Sequence, residues 1–230
     1  HLALFNIPLR IANRFRIPLI VWGENSAFEY GSKKENDTGY QLDRSWIKTY
    51  GVTHGTSAID WVDEELDKKS LTAYFGPTKK ELNEFNFKAI FLGYYFQWDP
   101  KNIKKISEKK GFKKNSSPKT GYYDYADIDD DFISIHHWMK WYKFGFTRSF
   151  DNLSLEIRNK RISRKKALEI LKKEGNSVPN KDIASFCKFV NIKENTFYNI
   201  ANSFRNTSIW KKKNGVWFIE NFIVKDWKWI

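Results

Sequence analysis

The stretch IPLIVWGENSAFEYG, residues 17–31, joins a short apolar run to a polar turn that begins at Gly23. The run lacks the alternation of apolar and polar residues that marks a half-exposed strand. Residues 18–22 are therefore predicted to form a strand covered on both faces, as in a parallel sheet. A second apolar run, FKAIFLGYYFQW (residues 87–98), contains another predicted strand. Buried strands that alternate with turns and helices indicate an α/β fold with a parallel sheet.

Helix signals accompany these strands. Residues 54–66 have the character of a helix start, and Asp99-Pro100 places a capping carboxylate and a proline before a helix that ends at Gly111. After a polar linker at residues 113–121, apolar residues recur at helical spacing. The further predicted helices cover residues 130–144, residues 163–175, a segment capped by Asn180 and residues 194–205.

The last part of the chain carries Asn214-Gly215, a strong hairpin signal. We therefore predict two domains. Residues 1–120 form an α/β domain with the parallel sheet. Residues 121–230 form a hinge, a small helical subdomain and a C-terminal β-hairpin.

Composition limits the classes of protein to which the chain can belong. The 230 residues are 41% hydrophobic, which is typical of a globular chain. The longest apolar runs are far shorter than the ~20 residues of a membrane helix, and no signal peptide is visible, so we expect no membrane partner. Cys187 is the only cysteine, which fits a cytoplasmic protein. A net charge of +13 indicates an anionic partner, or else a lysine-rich surface without one.

Polar residues follow the first predicted strand. Ligands of open α/β sheets bind beyond the carboxyl ends of the strands. Gly23 would let a ligand approach the backbone, and the side chains that follow could hold a metal-bound nucleotide or a substrate. The residues predicted to border this nucleotide cavity are Gly23, Glu24, Asn25 and Glu29. The alternative is an ordinary strand-to-helix turn with a capping asparagine.

Residues 125–161 concentrate charge among aromatic side chains. We predict that this stretch is a hinge whose charges face the active cleft. In it, Arg148 and Arg158 grip a diphosphate, because arginine binds anionic oxygens bidentately. Asp151 and Glu156 orient the two guanidinium groups. The predicted catalytic residues are His136, Lys143, Arg148 and Asp151, and the predicted ligand-binding residues are Glu156 and Arg158. The alternative is a salt-bridged connection between domains.

No metal site is predicted in this stretch. His136 and His137 are adjacent, so on a helix they point about 100° apart and cannot chelate one zinc ion. Four aspartates before them could gather Mg²⁺. An acidic segment also stabilises a helix N-terminus, and we favour this second interpretation. The four are Asp127, Asp129, Asp130 and Asp131.

Four segments resemble the C-terminal part of the N-acetyl sugar amidotransferases, which belong to the PP-loop ATP pyrophosphatase superfamily. They are IPLIVWGENSAFEYG, FLGYYFQWDP, the block at residues 121–170 around HHWMKWYKFGFTRSFDN, and the closing pattern W-x-x-x-x-G-V-W followed by DW-K-W. The resemblance implies a PP-loop α/β fold, similar to that of the adenine-nucleotide alpha hydrolases, with ATP and Mg²⁺ as cofactors.

The resemblance also implies a reaction. The acetamido group of a nucleotide-linked N-acetyl sugar would be activated by adenylation and converted to an acetamidino group by ammonia. The ammonia would come from a glutaminase partner with a cyclase-like subunit. The product would serve the biosynthesis of lipopolysaccharide O-antigen or of flagellar nonulosonate sugars.

Two features of the family do not occur in this sequence: its Ser-Gly-Gly-x-Asp-Ser loop and its cysteine-rich N-terminal segment. We expect the chain to be the C-terminal portion of a longer protein. Alone it should lack ATP pyrophosphatase activity, because that loop cradles the pyrophosphate.

Two other functions stay open, a tRNA-modifying PP-loop enzyme and a basic nucleic-acid-binding module, and salt-dependent nucleic-acid binding would support both. We expect no such binding, because the aromatic residues lie mainly in predicted core segments.

Overall fold

The computed structural model describes residues 2–23, 41–42, 46, 56–84 and 87–229. The chain divides into two compact units, His1–Trp98 and Asp99–Ile230. The predicted domain boundary at residue 120 stays a prediction, because a compact unit need not coincide with an inherited domain. No helix in the described part of the chain combines the length and the apolar character that a membrane span requires.

The first unit contains a parallel pair of strands. Helix α1 (Leu2–Phe15) leads into β1 (Leu19–Trp22), which pairs in parallel with β2 (Lys88–Phe91). The predicted α/β character is confirmed for this pair, whereas the larger PP-loop sheet stays a prediction. The prediction that β1 is covered on both faces is wrong. Leu19 and Val21 are 47% and 50% exposed, so the face of the strand that they share meets solvent.

Short helical segments connect the rest of the first unit. They are two 3₁₀ turns (Ala58–Trp61 and Thr72–Tyr74), α2 (Lys79–Glu84) and α3 (Leu92–Tyr95). The predicted helix start in residues 54–66 is a single 3₁₀ turn, which Ser57 and Asp60 close as a capping box. The second apolar run is a strand only over its first half, because α3 follows β2 directly. The core of this unit consists of Phe5, Leu9, Leu42, Trp46, Ala89 and Phe91.

Helices dominate the second unit. Helix α4 (Pro100–Glu108) begins as predicted, because the Asp99 carboxylate accepts hydrogen bonds from the backbone N–H groups of Lys101 and Asn102. The other helices are α5 (Ile133–Phe144), α6 (Arg148–Arg158), α7 (Arg164–Glu174), α8 (Asn180–Phe189) and α9 (Glu194–Ser203). All except α6 agree with predicted helices. Asn180 is the first residue of α8 and not its cap, which is Pro179.

A β-hairpin completes this unit. Strands β3 (Trp210–Lys213) and β4 (Val216–Ile219) are antiparallel, as predicted. Asn214 and Gly215 between them have φ values of 49° and 82°, and a type I′ hairpin turn needs positive φ at both positions. The hairpin packs on the helical core, whose large members are Ile135, Trp138, Trp141, Tyr142, Leu153, Leu171, Ile183, Phe197, Trp210 and Trp227.

Gly145 ends α5 against this hairpin. Its φ of 72° lies in the left-handed region, which glycine adopts without steric cost. A Cβ added here would lie 2.6 Å from Ile219 Cδ1 and 3.2 Å from Ile209 Cγ2. The position therefore requires glycine for its backbone conformation and for the close approach of the hairpin.

We expect Gly145→Ala to lower the free energy of unfolding by about 2–4 kcal/mol, because backbone strain and overpacking add. Gly215→Ala is the matched control. Its φ is also positive, but no atom lies within 4 Å of the added Cβ, so only the backbone cost of about 1–2 kcal/mol applies. Urea unfolding of both variants measures the difference. If the two variants lose the same free energy of unfolding, the hairpin does not pack closely against Gly145.

Candidate functional site

A cavity of about 300 Å³ lies in the second unit, where the N-terminal halves of α5 and α6 meet two loops. The first loop comprises residues 118–121, and the second comprises residues 174–177 at the end of α7. This volume is at the lower end of the range that small-molecule sites occupy. The cavity is therefore the candidate functional site.

Gly121 brings the first loop onto α6. Its φ is 71°, and an added Cβ would lie 2.8 Å from Arg148 Cγ, so only glycine fits this close approach. The Asn152 side chain accepts a hydrogen bond of 2.9 Å from the Tyr122 N–H, which fastens the loop to the helix. The segment that the sequence indicates as a polar linker, residues 113–121, thus supplies one wall of the cavity.

His137 lines the opposite wall from α5. It is only 7% exposed, and its Nδ1 atom has no hydrogen-bond partner among the described residues. Burial lowers the pKa of His137 to about 4, with a further contribution from the Arg148 cation, although the nearby Asp127 carboxylate acts in the opposite direction. The imidazole is therefore neutral at pH 7 and can accept a hydrogen bond or donate one.

This shift in the pKa of His137 predicts a pH dependence of stability. The unfolded chain binds a proton there near pH 6.5, the ordinary value, whereas the folded protein binds it only near pH 4. The contribution is fully present above pH 6.5 and is lost as the pH falls towards 4. At about 1.4 kcal/mol per pKa unit, reduced for solvent screening, we expect the loss to be about 2 kcal/mol.

The measurement is urea unfolding at pH 7 and at pH 4.5. We expect His137→Gln to lose about 2 kcal/mol less than the wild type between these values. His136→Gln, which changes the exposed neighbour on the same helix, is the matched control. An equal effect of the two substitutions would contradict the buried, neutral state of His137.

Arg148 is the first residue of α6 and is 8% exposed. Its Nε atom lies 3.3 Å from Asp127 Oδ2, and its Nη1 atom lies 3.8 Å from Asp151 Oδ2. Asp151 also accepts a hydrogen bond from Lys140 of α5. The guanidinium group thus sits at the cavity wall within a set of ion pairs that joins α5, α6 and the loop before α5.

Ser149 and Glu174 close the cavity at the second loop. The fully buried Ser149 hydroxyl donates a hydrogen bond to Glu174 Oε1. Glu174 is exposed as a residue, but partial burial of its carboxyl group raises its pKa, and the hydrogen bond from Ser149 only partly offsets this rise. The carboxyl group is consequently a better proton acceptor than an exposed glutamate.

Three buried polar atoms on residues that line the cavity lack hydrogen-bond partners in the described part of the chain. They are His137 Nδ1, Trp138 Nε1 and Asn176 Oδ1. Buried polar groups are nearly always hydrogen-bonded, and one left unpaired costs about 1–3 kcal/mol. All three atoms are shielded from solvent, so a ligand in the cavity would reach them only if the surrounding side chains moved.

A second polar cluster, centred on Glu156, is closed. Glu156 is 1% exposed, and both of its oxygens accept hydrogen bonds from Arg161, from Nε at 2.7 Å and from Nη2 at 2.6 Å. The Tyr123 hydroxyl donates a third, at 2.6 Å, and Arg161 Nη1 reaches Asp99 Oδ1 at 2.8 Å. Burial disfavours the charged form of Glu156, but the bonds from Arg161 and Tyr123 outweigh it and lower its pKa. The cluster ties the start of α4 to the end of α6.

The structure brings two of the predicted catalytic residues to one place. Arg148 lines the cavity and Asp151 lies behind it. His136 is exposed, and the exposed Lys143 lies with its Nζ 4.9 Å from the centroid of the Phe204 ring. Neither residue lines this cavity. Their catalytic roles stay predictions.

The joint binding of one diphosphate by Arg148 and Arg158 stays a prediction, and of the two only Arg148 lines the cavity. Arg148 and Arg158 begin and end α6, so their backbones are about 15 Å apart along the helix axis. Arg158 is exposed, and Glu156 binds Arg161 instead. The stretch that we predict to act as a hinge, residues 125–161, lies within the second unit as α5, α6 and the loop before them.

Of the predicted nucleotide-binding residues after β1, the structure describes only Gly23. Gly23 directly follows β1, at the carboxyl end of the strand. Glu24, Asn25 and Glu29 lie outside the described residues. Their roles in nucleotide binding therefore stay predictions.

The acidic segment before α5 agrees with the favoured interpretation as a helix start, and Mg²⁺ stays a predicted cofactor of the complete enzyme. No group of three or more His, Cys, Asp or Glu side chains that could hold a metal ion occurs among the residues that the structure describes. Asp127 pairs with Arg148, and Asp130 Oδ1 accepts a hydrogen bond of 2.7 Å from the Phe132 N–H just before α5. These acids act in an ion pair and at the start of a helix.

Of the residues that line the cavity only Arg148 is among the predicted site residues, and the side chains missed include His137, Ser149, Glu174 and Asn176. A signal for His137 exists in the sequence. Positions 134, 137, 138, 141 and 142 follow the i, i+3, i+4, i+7, i+8 pattern of one helix face, and all five are buried. His137 lies on this stripe and His136 does not. For the other three residues we find no local signal.

Residues 100–223 match a family model described as "LPS biosynthesis protein WbpG-like, C-terminal domain", where LPS is lipopolysaccharide. The match covers more than half of the chain and includes every residue that lines the cavity. No curated protein matches the chain.

Proposed function

The chain belongs to the WbpG-like C-terminal domain family of LPS biosynthesis proteins, and from this premise we propose that it contributes to an ATP-dependent amidation of a sugar. The family places the chain in LPS biosynthesis. The specific reaction that we propose converts the acetamido group of a nucleotide-linked N-acetyl sugar to an acetamidino group.

The proposed reaction replaces the acetamido oxygen atom by an NH₂ group and gives the amidinium form of the product. ATP transfers AMP to the acetamido oxygen and releases pyrophosphate. Ammonia then attacks the activated carbon, the C–O bond to AMP breaks, and one proton leaves the nitrogen. ATP, Mg²⁺ and a glutaminase partner that supplies ammonia belong to this proposal, and no residue described here is assigned to hold the cation.

The observation that carries the proposal is the polar cavity at α5 and α6, within the family match. Its walls offer a neutral imidazole at His137, a buried hydroxyl at Ser149 and a carboxyl group of raised pKa at Glu174. Glu174 is the best candidate to take the proton that leaves the attacking ammonia, because its raised pKa makes it the stronger base. The imidazole of His137, with its low pKa, is suited to hydrogen bonding of the substrate.

The experiment is an amidation assay in which the chain acts together with the ATP-hydrolysing part of such an enzyme. It contains ATP, Mg²⁺, ammonium chloride and a panel of nucleotide-linked N-acetyl sugars. We expect AMP and acetamidino sugar in equal amounts, detected by mass spectrometry, and no product from sugars without an acetamido group. Formation of AMP that depends on tRNA and leaves every sugar unchanged would refute the proposal.

A further inference from the structure

The C-terminal ends of α5 and α9 and the hairpin share a run of contacts between cations and aromatic rings. Lys143 Nζ lies 4.9 Å from the centroid of the Phe204 ring. The guanidinium carbon of Arg205 lies 5.0 Å from the centroid of the Trp217 ring, and Lys212 Nζ lies 5.5 Å from the same centroid. None of these residues lines the cavity. The cationic aromatic surface is the name we give to Lys143, Phe144, Phe204, Arg205, Lys212 and Trp217.

The cations of this surface have no carboxylate partner among the residues that the structure describes. Lys140, earlier in α5, differs from them because it pairs with Asp151. The sequence around the surface explains the lack of partners. Residues 195–219 contain Arg205 and the three lysines of β3 but no Asp or Glu. The positive charge of the surface is therefore available to an anionic partner outside the chain.

Two phenylalanines add exposed apolar area beside these cations. Phe144 is 53% exposed and Phe204 is 50% exposed. One face of each ring is covered within the protein. The Phe146 ring stacks on Phe144 with the centroids 5.9 Å apart, and the Lys143 ammonium group lies over Phe204. The bases of a single-stranded nucleic acid stack on open ring faces, whereas insertion among lipid headgroups needs only exposed apolar edges. The covered faces favour the second kind of partner.

The residue types of the surface also argue against a protein partner. Protein–protein interfaces are depleted in lysine and enriched in arginine. The exposed cations here are Lys143 and the three lysines of β3, whereas the half-buried Arg205 is already stacked among aromatic rings of its own chain. A second copy of this chain would bring like charges together. Exposed lysines beside phenylalanine are instead typical of surfaces that adsorb to anionic lipids.

We infer that the cationic aromatic surface binds peripherally to a membrane that contains anionic lipids. Its lysines face the lipid phosphates, and Phe144 and Phe204 enter the headgroup layer. Peripheral binding needs no membrane-spanning helix, so the short apolar runs, from which we expect no membrane partner, do not bear on it. The surface is separate from the cavity, so membrane binding and sugar amidation can succeed or fail independently.

The experiment is sedimentation of the chain with two sets of lipid vesicles. One set consists of phosphatidylcholine alone, and the other consists of phosphatidylcholine mixed with phosphatidylglycerol. We expect the chain to sediment only with the second set. High salt should release it, because salt screens the attraction between exposed charges.

Two substitutions locate the binding surface. Lys212→Gln should weaken binding to the anionic vesicles about fivefold, the usual contribution of one lysine near a charged membrane. Phe204→Ser should weaken it by a similar factor, because the half-exposed ring buries apolar area on insertion. Thermal unfolding of both variants verifies that they fold.

Matched controls change the same residue types elsewhere in the unit. Lys165→Gln replaces an exposed lysine of α7. Phe189→Ser replaces a phenylalanine that is 76% exposed and contacts Phe132, at the opposite end of α5 from Phe144. Both controls should leave binding to the anionic vesicles nearly unchanged.

Three results would overturn the inference. The first is a chain that sediments with neither set of vesicles. The second is an equal loss of binding in Lys212→Gln and Lys165→Gln, since binding would then follow the net charge and not this surface. The third is binding of single-stranded oligothymidine, weakened by Lys212→Gln, without binding of vesicles. The surface would then be a nucleic-acid interface.

Discussion

Replacement of Arg161 by alanine is expected to destabilise the protein by about 3–5 kcal/mol, the typical effect of leaving one partner of a buried ion pair uncompensated. The partner is Glu156, which is almost fully buried and takes hydrogen bonds from two nitrogen atoms of Arg161. Asp99, the cap of α4, loses its ion pair in the same variant. Tyr123 donates only a neutral hydrogen bond, and the half-exposed Lys101, whose Nζ lies 3.7 Å from Glu156 Oε2, does not replace the two hydrogen bonds from Arg161.

Chemical denaturation of Arg161→Ala and Arg164→Ala tests this expectation. Arg164 is an exposed arginine at the start of α7, so its replacement removes the same side chain without uncovering a buried charge. We expect a change below about 0.5 kcal/mol for this control. Similar losses in the two variants would show that Glu156 is hydrated in the folded protein and that the cluster is not a buried ion pair.

The Glu156 cluster illustrates why the partner of a charge is hard to predict from sequence. Lys160, just after α6, has a φ of 56°, and the Arg161 N–H donates to the Glu156 carbonyl oxygen at 2.9 Å. This turn carries Arg161 back over the helix end, as in a Schellman motif. Glycine is the usual residue at this position of such a turn. Because the chain has lysine there, the turn cannot be predicted from the sequence. Glu156 therefore pairs with Arg161 and not with Arg158.

Elements with strong local signals could be predicted. Asp99-Pro100 starts α4, Asn214-Gly215 forms the hairpin turn, and Gly145 ends α5, because each position depends on backbone chemistry within a few residues. Helix α6 has no counterpart in the prediction. Its dense charges are typical of a binding site in the sequence, although Arg148 and Asp151 form ion pairs with Asp127 and Lys140, which lie 21 and 11 residues away along the chain.

The cavity could be predicted only in part, because tertiary packing assembles it. Arg148 stands out by its charge, and His137 could have been selected by its position on the buried stripe of α5. Glu174 is the last residue of α7 and Asn176 lies in the loop after it, and neither charge nor periodicity distinguishes the two positions. The burial that shifts the pKa values of His137 and Glu174 is likewise a property of the assembled walls.

Arg148→Lys is expected to lower turnover in the amidation assay by roughly ten- to a hundredfold, which corresponds to the loss of one charge-assisted hydrogen bond. Arginine places Nε towards Asp127 and Nη1 towards Asp151 from one rigid plane. Lysine has a single ammonium group at the end of a flexible chain and cannot keep both arrangements. The cavity wall would then shift beside His137, and small displacements of a substrate reduce turnover strongly.

Arg158→Lys separates the two interpretations of these arginines. If both grip one diphosphate, as the sequence predicts, the two substitutions should lower turnover alike. If Arg148 instead acts only by shaping the cavity, Arg158→Lys should keep nearly full turnover, because Arg158 is exposed at the far end of α6. Thermal unfolding supplies the remaining distinction. The contrary result is an Arg148→Lys variant that melts many degrees lower yet turns over substrate normally when folded. Arg148 would then be a purely structural residue and would not belong to the functional site.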